Sequence, residues 1–213
     1  MIAFALNNVK SYNQHTFNSR ERPTNTKSSF QNALRGVTMR VIPKPQPGEY
    51  DPYAIMYIKL LPDDGLILKH LEENGKAART FFLSIPKNRL EYRYAPGKWT
   101  IKEILLHVID DERIYAYRAL RFARADSTPL PGFDQEPYAV RSKANERTME
   151  SLVKEFLTVR KATLSLFSYL PEETLMRGGT ANDHYVSVRA LLYHLAGHEA
   201  HHINIIKQKY LEE

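Results

Sequence analysis

Cysteine is absent from this sequence of 213 residues. Disulfides are therefore excluded, and no thiolate of the chain can act as nucleophile or metal ligand. Any transition metal must be held by His, Asp or Glu. Long hydrophobic runs are absent too, and no stretch reaches membrane-spanning length. The opening MIAFALNNVK has too short an apolar run for a signal peptide, and no charged n-region precedes it. These absences point to a soluble, cytoplasmic protein without a membrane partner. Strand-like alternation and internal repeats are missing as well. A 43% hydrophobic and 25% charged composition is that of a globular chain, and the length suits one domain, with or without a tail.

The net charge of +6 is unevenly placed. Residues 1–38 carry Lys10, Arg20, Arg22, Lys27 and Arg35 against Glu21, which leaves +2 for residues 39–213. The basic balance therefore says little about nucleic-acid binding by the folded part. Residues 1–38 are rich in Asn, Ser, Thr and Gln without a helical or strand period, and are expected to be an irregular, weakly ordered extension. Met39 resembles a natural start, which divides the chain into that extension and a domain over 39–213.

Pro43, Pro45, Pro47 and Pro52 predict an extended lead-in, followed by a short apolar turn or strap at 54–61. Four amphipathic helices come next. The first covers about 64–84, capped by Asp63 or Asp64 and closed by Pro86. The second covers about 100–124, opened by the capping box Thr100-Ile-Lys-Glu103. The third covers about 146–170 and the fourth about 187–211, with Ser187 as its cap. Proline-rich and polar connections at 126–139 and 171–186 separate the last three. Four such helices predict an all-α four-helix bundle.

The fourth helix carries LLYHLAGHEAHHINIIKQKY. At 100° per residue, Leu191, Leu195, His198, His202 and Ile206 share an arc roughly 80° wide. An inward H-x-x-x-H pair can chelate one ion; core histidines that find carbonyl partners are the competing explanation. His194 and His201 lie toward the edge of the arc and, with His184, are expected on the surface or as partners of the ligands. A third ligand must come from another helix. The second offers Glu103, His107, Asp110, Asp111 and Glu112. By angle Glu112 lies inside the apolar stripe and His107 at its edge. A buried Glu112 needs a partner or a proton. It is expected to orient a ligating imidazole, to act as a base, or to form a salt bridge with an arginine of YRALRFAR.

APGKWTIKEILLHVIDDERIYAYRALRFARAD, PLPGFDQEPY and VSVRALLYHLAGHEAHHINI resemble, in that order, the DinB-like superfamily of metalloenzymes, which includes YfiT-type proteins and thiol-dependent S-transferases. The resemblance covers about 41–211. It implies a four-helix bundle with a His triad, carried over as His107, His198 and His202. Three neutral imidazoles leave a position for water or substrate, and zinc and nickel both suit nitrogen ligands.

The resemblance implies a divalent-metal enzyme. Thiol-dependent S-transfer with a low-molecular-weight thiol leads; metal-dependent hydrolysis and a non-catalytic, metal-binding stress-response protein are the alternatives. Arg118 and Arg121, neighbours on the second helix, are candidates for binding an anionic thiol or substrate, with Arg124 beyond them; a solvated basic edge is the other explanation. Trp99, Tyr115, Tyr117 and Phe133 are candidate pocket residues. A small-molecule substrate is expected, and a homodimer through an exposed helix face is compatible with the pattern.

Overall fold

The computed structural model describes residues 40–211. The extension expected at 1–38 lies outside them. The extended lead-in runs from residue 40 into a 3-10 turn and the short α1 (Ile55–Ile58). Four long helices follow: α2 (Ile67–Ser84), α3 (Ile101–Ala123), α5 (Met149–Ser168) and α6 (Val188–Ile206). The short α4 (Gln135–Arg141) sits between α3 and α5.

Local chemistry sets the boundaries. Thr100 and Glu103 form the full capping box of α3. Thr148 caps α5 and Ser187 caps α6 through the backbone N–H groups of Ser151 and Ala190. The start of α2 is later than the cap at Asp63 or Asp64 would place it. Gly65 takes a φ of +70°, which ends any earlier helical run, and Asp64 instead accepts from the Leu66 N–H and from His70.

Around the bundle the order is α2–α5–α3–α6, so α3 and α6 are neighbours although distant in sequence. His107 of α3 lies beside His198 and His202 of α6, whereas Tyr115, two turns later, lies beside His194. The two helices are therefore antiparallel. Two apolar clusters fill the bundle. One joins the lead-in and α1 to the start of α2, the C-terminal half of α3 and α6. The other joins the rest of α2, the N-terminal half of α3, α5 and Ile206.

A two-stranded antiparallel sheet departs from the expectation of a polar connection. β1 (Gly178–Ala181) pairs with β2 (His184–Ser187), with Ala181 opposite His184. The turn is Asn182-Asp183, both at positive φ, the conformation that tight hairpins require. Leu130 of the preceding loop bridges to Ala181. At its C-terminal end α6 widens into a π turn over Lys207–Leu211. There the buried Tyr210 donates its hydroxyl to the Trp99 carbonyl at 2.7 Å. No helix among the described residues is long and apolar enough to cross a membrane.

Candidate metal centre

On α3, His107, Asp111, Tyr115 and Arg118 recur at four, four and three residues, and so lie on one face. On α6, His194, His198 and His202 recur at four. The antiparallel packing makes one polar seam of these rows. His198 Nε2 is 3.1 Å from His107 Nε2 and 3.0 Å from His202 Nε2. One nitrogen carries at most one proton, so a proton on His198 Nε2 cannot satisfy both contacts. For ligands about 2.0–2.1 Å from a tetrahedral ion, neighbouring donors stand about 3.3 Å apart. His107 and His202 each stand close to that spacing from His198, and the ligand atoms of all three lie within 4.8 Å of one another.

Burial pushes the pKa of His107 down, that of His198 well down, and that of His202 to about 3, with the nearby imidazoles reinforcing the last two. All three are thus neutral at pH 7, the state a ligand needs. His198 turns its Nδ1 toward Asp111 Oδ2 at 3.3 Å, and His194 Nε2 approaches the same oxygen at 3.4 Å. These contacts are electrostatic: the oxygen is buried and makes no well-formed hydrogen bond. Burial alone would raise the Asp111 pKa, but the His198 and His194 rings, which take up charge in the acid range where the carboxyl titrates, outweigh burial and lower the pKa to about 2. A carboxylate at Nδ1 favours a proton there and leaves Nε2 free to ligate, the arrangement found behind many metal-bound histidines. The residues therefore fit a divalent transition ion at His107, His198 and His202. Asp111, His194 and His198 form a second close group that could also hold an ion.

The seam is enclosed from both sides. Tyr57 of α1 stands edge-on to His194, His198 and His201, with centroids 5.0, 5.3 and 5.2 Å away. Its close seat depends on Gly197: a Cβ there would fall 2.4 Å from the Tyr57 carbonyl oxygen. Trp99 packs 4.8 Å from the His107 ring and donates Nε1–H to Glu136 of α4 at 3.1 Å. Next to His198 opens a cavity of about 390 Å³, whose walls include Asp111, His194, Tyr115, Arg118, Phe133 and the hairpin.

His194 does not sit at the surface. It is 5% exposed and stacks on Tyr115, centroids 3.9 Å apart. The lead-in and α1 cover the side of α6 that a simple bundle would leave to solvent. His201 is half-buried beside Tyr57, and the exposed His184 pairs with Asp51 at 2.9 Å on the cavity rim.

Glu112 faces away from the triad. Arg160 of α5 binds both its oxygens through Nε and Nη2, at 2.9–3.2 Å. The same guanidinium reaches Glu199 at 2.6 Å and the Leu71 carbonyl at 2.9 Å, so one residue clasps all four long helices. The expected base or imidazole partner is thus a structural ion pair, and its arginine comes from α5 rather than from YRALRFAR. Asp111, one residue earlier, stands where that partner was expected. Arg118 lines the cavity, but Arg121 does not: it is committed to Asp126 and the Tyr117 hydroxyl. Arg124 and Tyr117 are exposed. Tyr115 and Phe133 are cavity residues, and Trp99 covers His107.

Comparison with known proteins agrees with this architecture. The model of the DinB superfamily matches residues 70–206, more than half the chain. The chain belongs to the DinB superfamily. A relative from Oceanobacillus iheyensis, named "Putative metal-dependent hydrolase OB0413", is 32% identical over 142 residues, 66% of this chain and 81% of its own length. YfiT from Bacillus subtilis, described as "a probable metal-dependent hydrolase with an unusual four-helix bundle topology", superposes with a TM-score of 0.57 at 15% identity. That match covers 81% of this chain and 95% of YfiT, and shows the shared four-helix-bundle fold.

Proposed function

We propose that the protein is a divalent-metal-dependent hydrolase acting on a small molecule, with His107, His198 and His202 as ligands. The convergence of three neutral Nε2 atoms on one point carries this reading, and the name of the Oceanobacillus relative supports it. Zinc and nickel both suit the nitrogen set. A bound ion would supply Lewis acidity toward water or a substrate atom. Asp111 fixes the His198 tautomer. Tyr57 and Trp99 limit water at the ligands. Burial raises the pKa of Tyr53 and Tyr115, with nearby Asp111 adding to it, so these cavity hydroxyls stay protonated and can donate to a substrate oxygen.

S-transfer to a low-molecular-weight thiol is the second reading, and the occupied carboxylates favour it. Glu112 is held by Arg160 and Asp111 faces the imidazoles, so neither is placed as a base. A thiol held by a bound ion would need none, since the ion would lower its pKa and its proton would pass to solvent.

The test is metal content by inductively coupled plasma mass spectrometry of wild type, His107→Ala, His198→Ala and His202→Ala. About one ion per chain, lost in each variant, is expected. Retention in His107→Ala would refute the triad. Product assays of the loaded protein, with and without added thiol, separate hydrolysis from S-transfer. Metal-dependent melting without turnover in either assay would leave a metal-binding stress-response protein.

A further inference from the structure

Among the described residues three arginines are buried: Arg118, Arg160 and Arg189. Arg160 holds Glu112 and Glu199, and Arg189 holds Glu49. Arg118 is 5% exposed and has no ion pair among the described residues. Of its five N–H donors, one reaches the Pro131 carbonyl at 3.0 Å. The guanidinium lies over Tyr115, 5.0 Å from the ring centroid, and lines the 390 Å³ cavity. A buried cation without a counter-charge is costly. The cavity's own carboxylates do not answer it: Asp51 pairs with His184, and Asp111 faces the imidazoles. Among the described residues the ion contacts of Asp111 are to His194 and His198, not to Arg118.

We propose that this cavity seats a small organic acid, with its carboxylate on Arg118 and its body against the aromatic walls. The planar guanidinium matches a carboxylate with two parallel hydrogen bonds. The Tyr53 and Tyr115 hydroxyls, 3.1 Å apart, hold two protons between them and use one in their mutual bond. The other is free for the ligand. Tyr50, Tyr185 and Phe133 supply apolar wall. The guanidinium lies over Tyr115, Tyr115 stacks on His194, and His194 stacks 5.3 Å from His198, so the far end of a ligand seated on Arg118 runs toward His198. That orientation rests on the metal reading above; the carboxylate seat does not. The substrate class is thus an acid whose charged group is remote from its reacting group.

The experiment is calorimetric titration of the full chain, zinc-loaded and chelator-stripped, with phenylpropionate and with phenylpropanol. The two probes share a body and differ in charge. Wild type is expected to prefer the acid by about tenfold or more in both states. Arg118→Met should bring the ratio to about one and leave the alcohol unchanged. Arg118→Lys, which keeps the cation if the larger change harms folding, should retain part of the preference. Arg121→Met should match wild type. Equal binding of the probes by wild type, binding of neither, or an acid preference that survives Arg118→Met would overturn the proposal. So would a preference that vanishes on stripping, since the carboxylate would then sit on the ion. A wild type that takes up no zinc but keeps an Arg118-dependent preference would refute the metal reading and leave the acid seat standing.

Discussion

Replacing Arg160 by methionine would cut the clasp between the four long helices. The Arg160 side chain is 3% exposed, and those of Glu112 and Glu199 are 2% exposed. Methionine fills much of the volume but leaves two carboxylates facing each other without a cation. Removing one partner of a buried ion pair costs about 3–5 kcal/mol. For a folded unit of this size each kcal/mol moves the melting temperature by about 2–4 °C, so a fall of about 6–20 °C is expected. The loss should depend on pH. Burial and the facing Glu112 already push the Glu199 pKa up, and Arg160, the group that opposes this, is gone in the variant, so the folded-state pKa of Glu199 stands above the unfolded value of about 4.3. A raised carboxyl pKa costs nothing where both states are protonated, and costs more as pH rises past the unfolded value. The gap from wild type should therefore be small near pH 4 and widest near neutrality. Thermal unfolding of metal-stripped protein, followed by circular dichroism at both pH values, measures it. Glu112→Leu combined with Arg160→Met and Glu199→Leu should recover most of the loss, because apolar replacement of a whole buried ion group is often neutral or stabilising. A neutral-pH fall below about 3 °C, or an equal gap at both pH values, would refute the reasoning.

Three further predictions concern the seam and its cover. Asp111→Asn should weaken metal affinity by about 10–100-fold, read by competition with a chromogenic chelator, while the fold persists; unchanged affinity would mean that Asp111 does not orient His198. Gly197→Ala raises helix propensity by about 1 kcal/mol, yet its Cβ would fall 2.4 Å from the Tyr57 carbonyl oxygen, so the variant should melt lower than wild type; an equal or higher melting temperature would refute the clash. In Glu49, burial opposes ionisation, but Arg189, the Gln46 N–H and Ser187 outweigh it and lower the pKa. Its contribution is present above the ordinary value of about 4.3 and lost as pH falls through the lowered one. Wild type should thus out-melt Glu49→Gln near neutrality, and the difference should close on acidification; a constant difference would refute the assignment.

The four long helices were legible because each combines an apolar period of 3.6 with a readable end, as at Thr100–Glu103 and Ser187. The hairpin was not. Strands of four residues are too short for alternation to register, and the Asn182-Asp183 turn reads like any polar loop. α4 was hidden by Pro137, which falls within its first turn, where proline is tolerated. In the site, His198 and His202 followed from helical phase, but His107 came from resemblance, because α3 presents two different faces. Its apolar stripe with Glu112 meets Arg160, and its row His107–Asp111–Tyr115–Arg118 meets α6. A single-stripe reading catches the first face and places the second at an edge. The four-residue recurrence of that row, matched by His194–His198–His202, was the available signal for Asp111 and His194. Arg160 carried no such signal, since its role depends on which helices become neighbours.

The π turn at the end of α6 has a practical bearing on how the protein can be handled. Tyr210 props the Trp99 carbonyl, and the Trp99 ring rests on His107. The last described turn thus supports a proposed ligand more than a hundred positions earlier in the chain. Trimming the C-terminus past Tyr210, by design or by an exopeptidase, would loosen the ring over His107 while leaving His107, His198 and His202 themselves in place. A loss of metal in such a shortened protein would therefore be a remote effect of the missing strut, and should not be taken as a sign that the removed residues bind the ion.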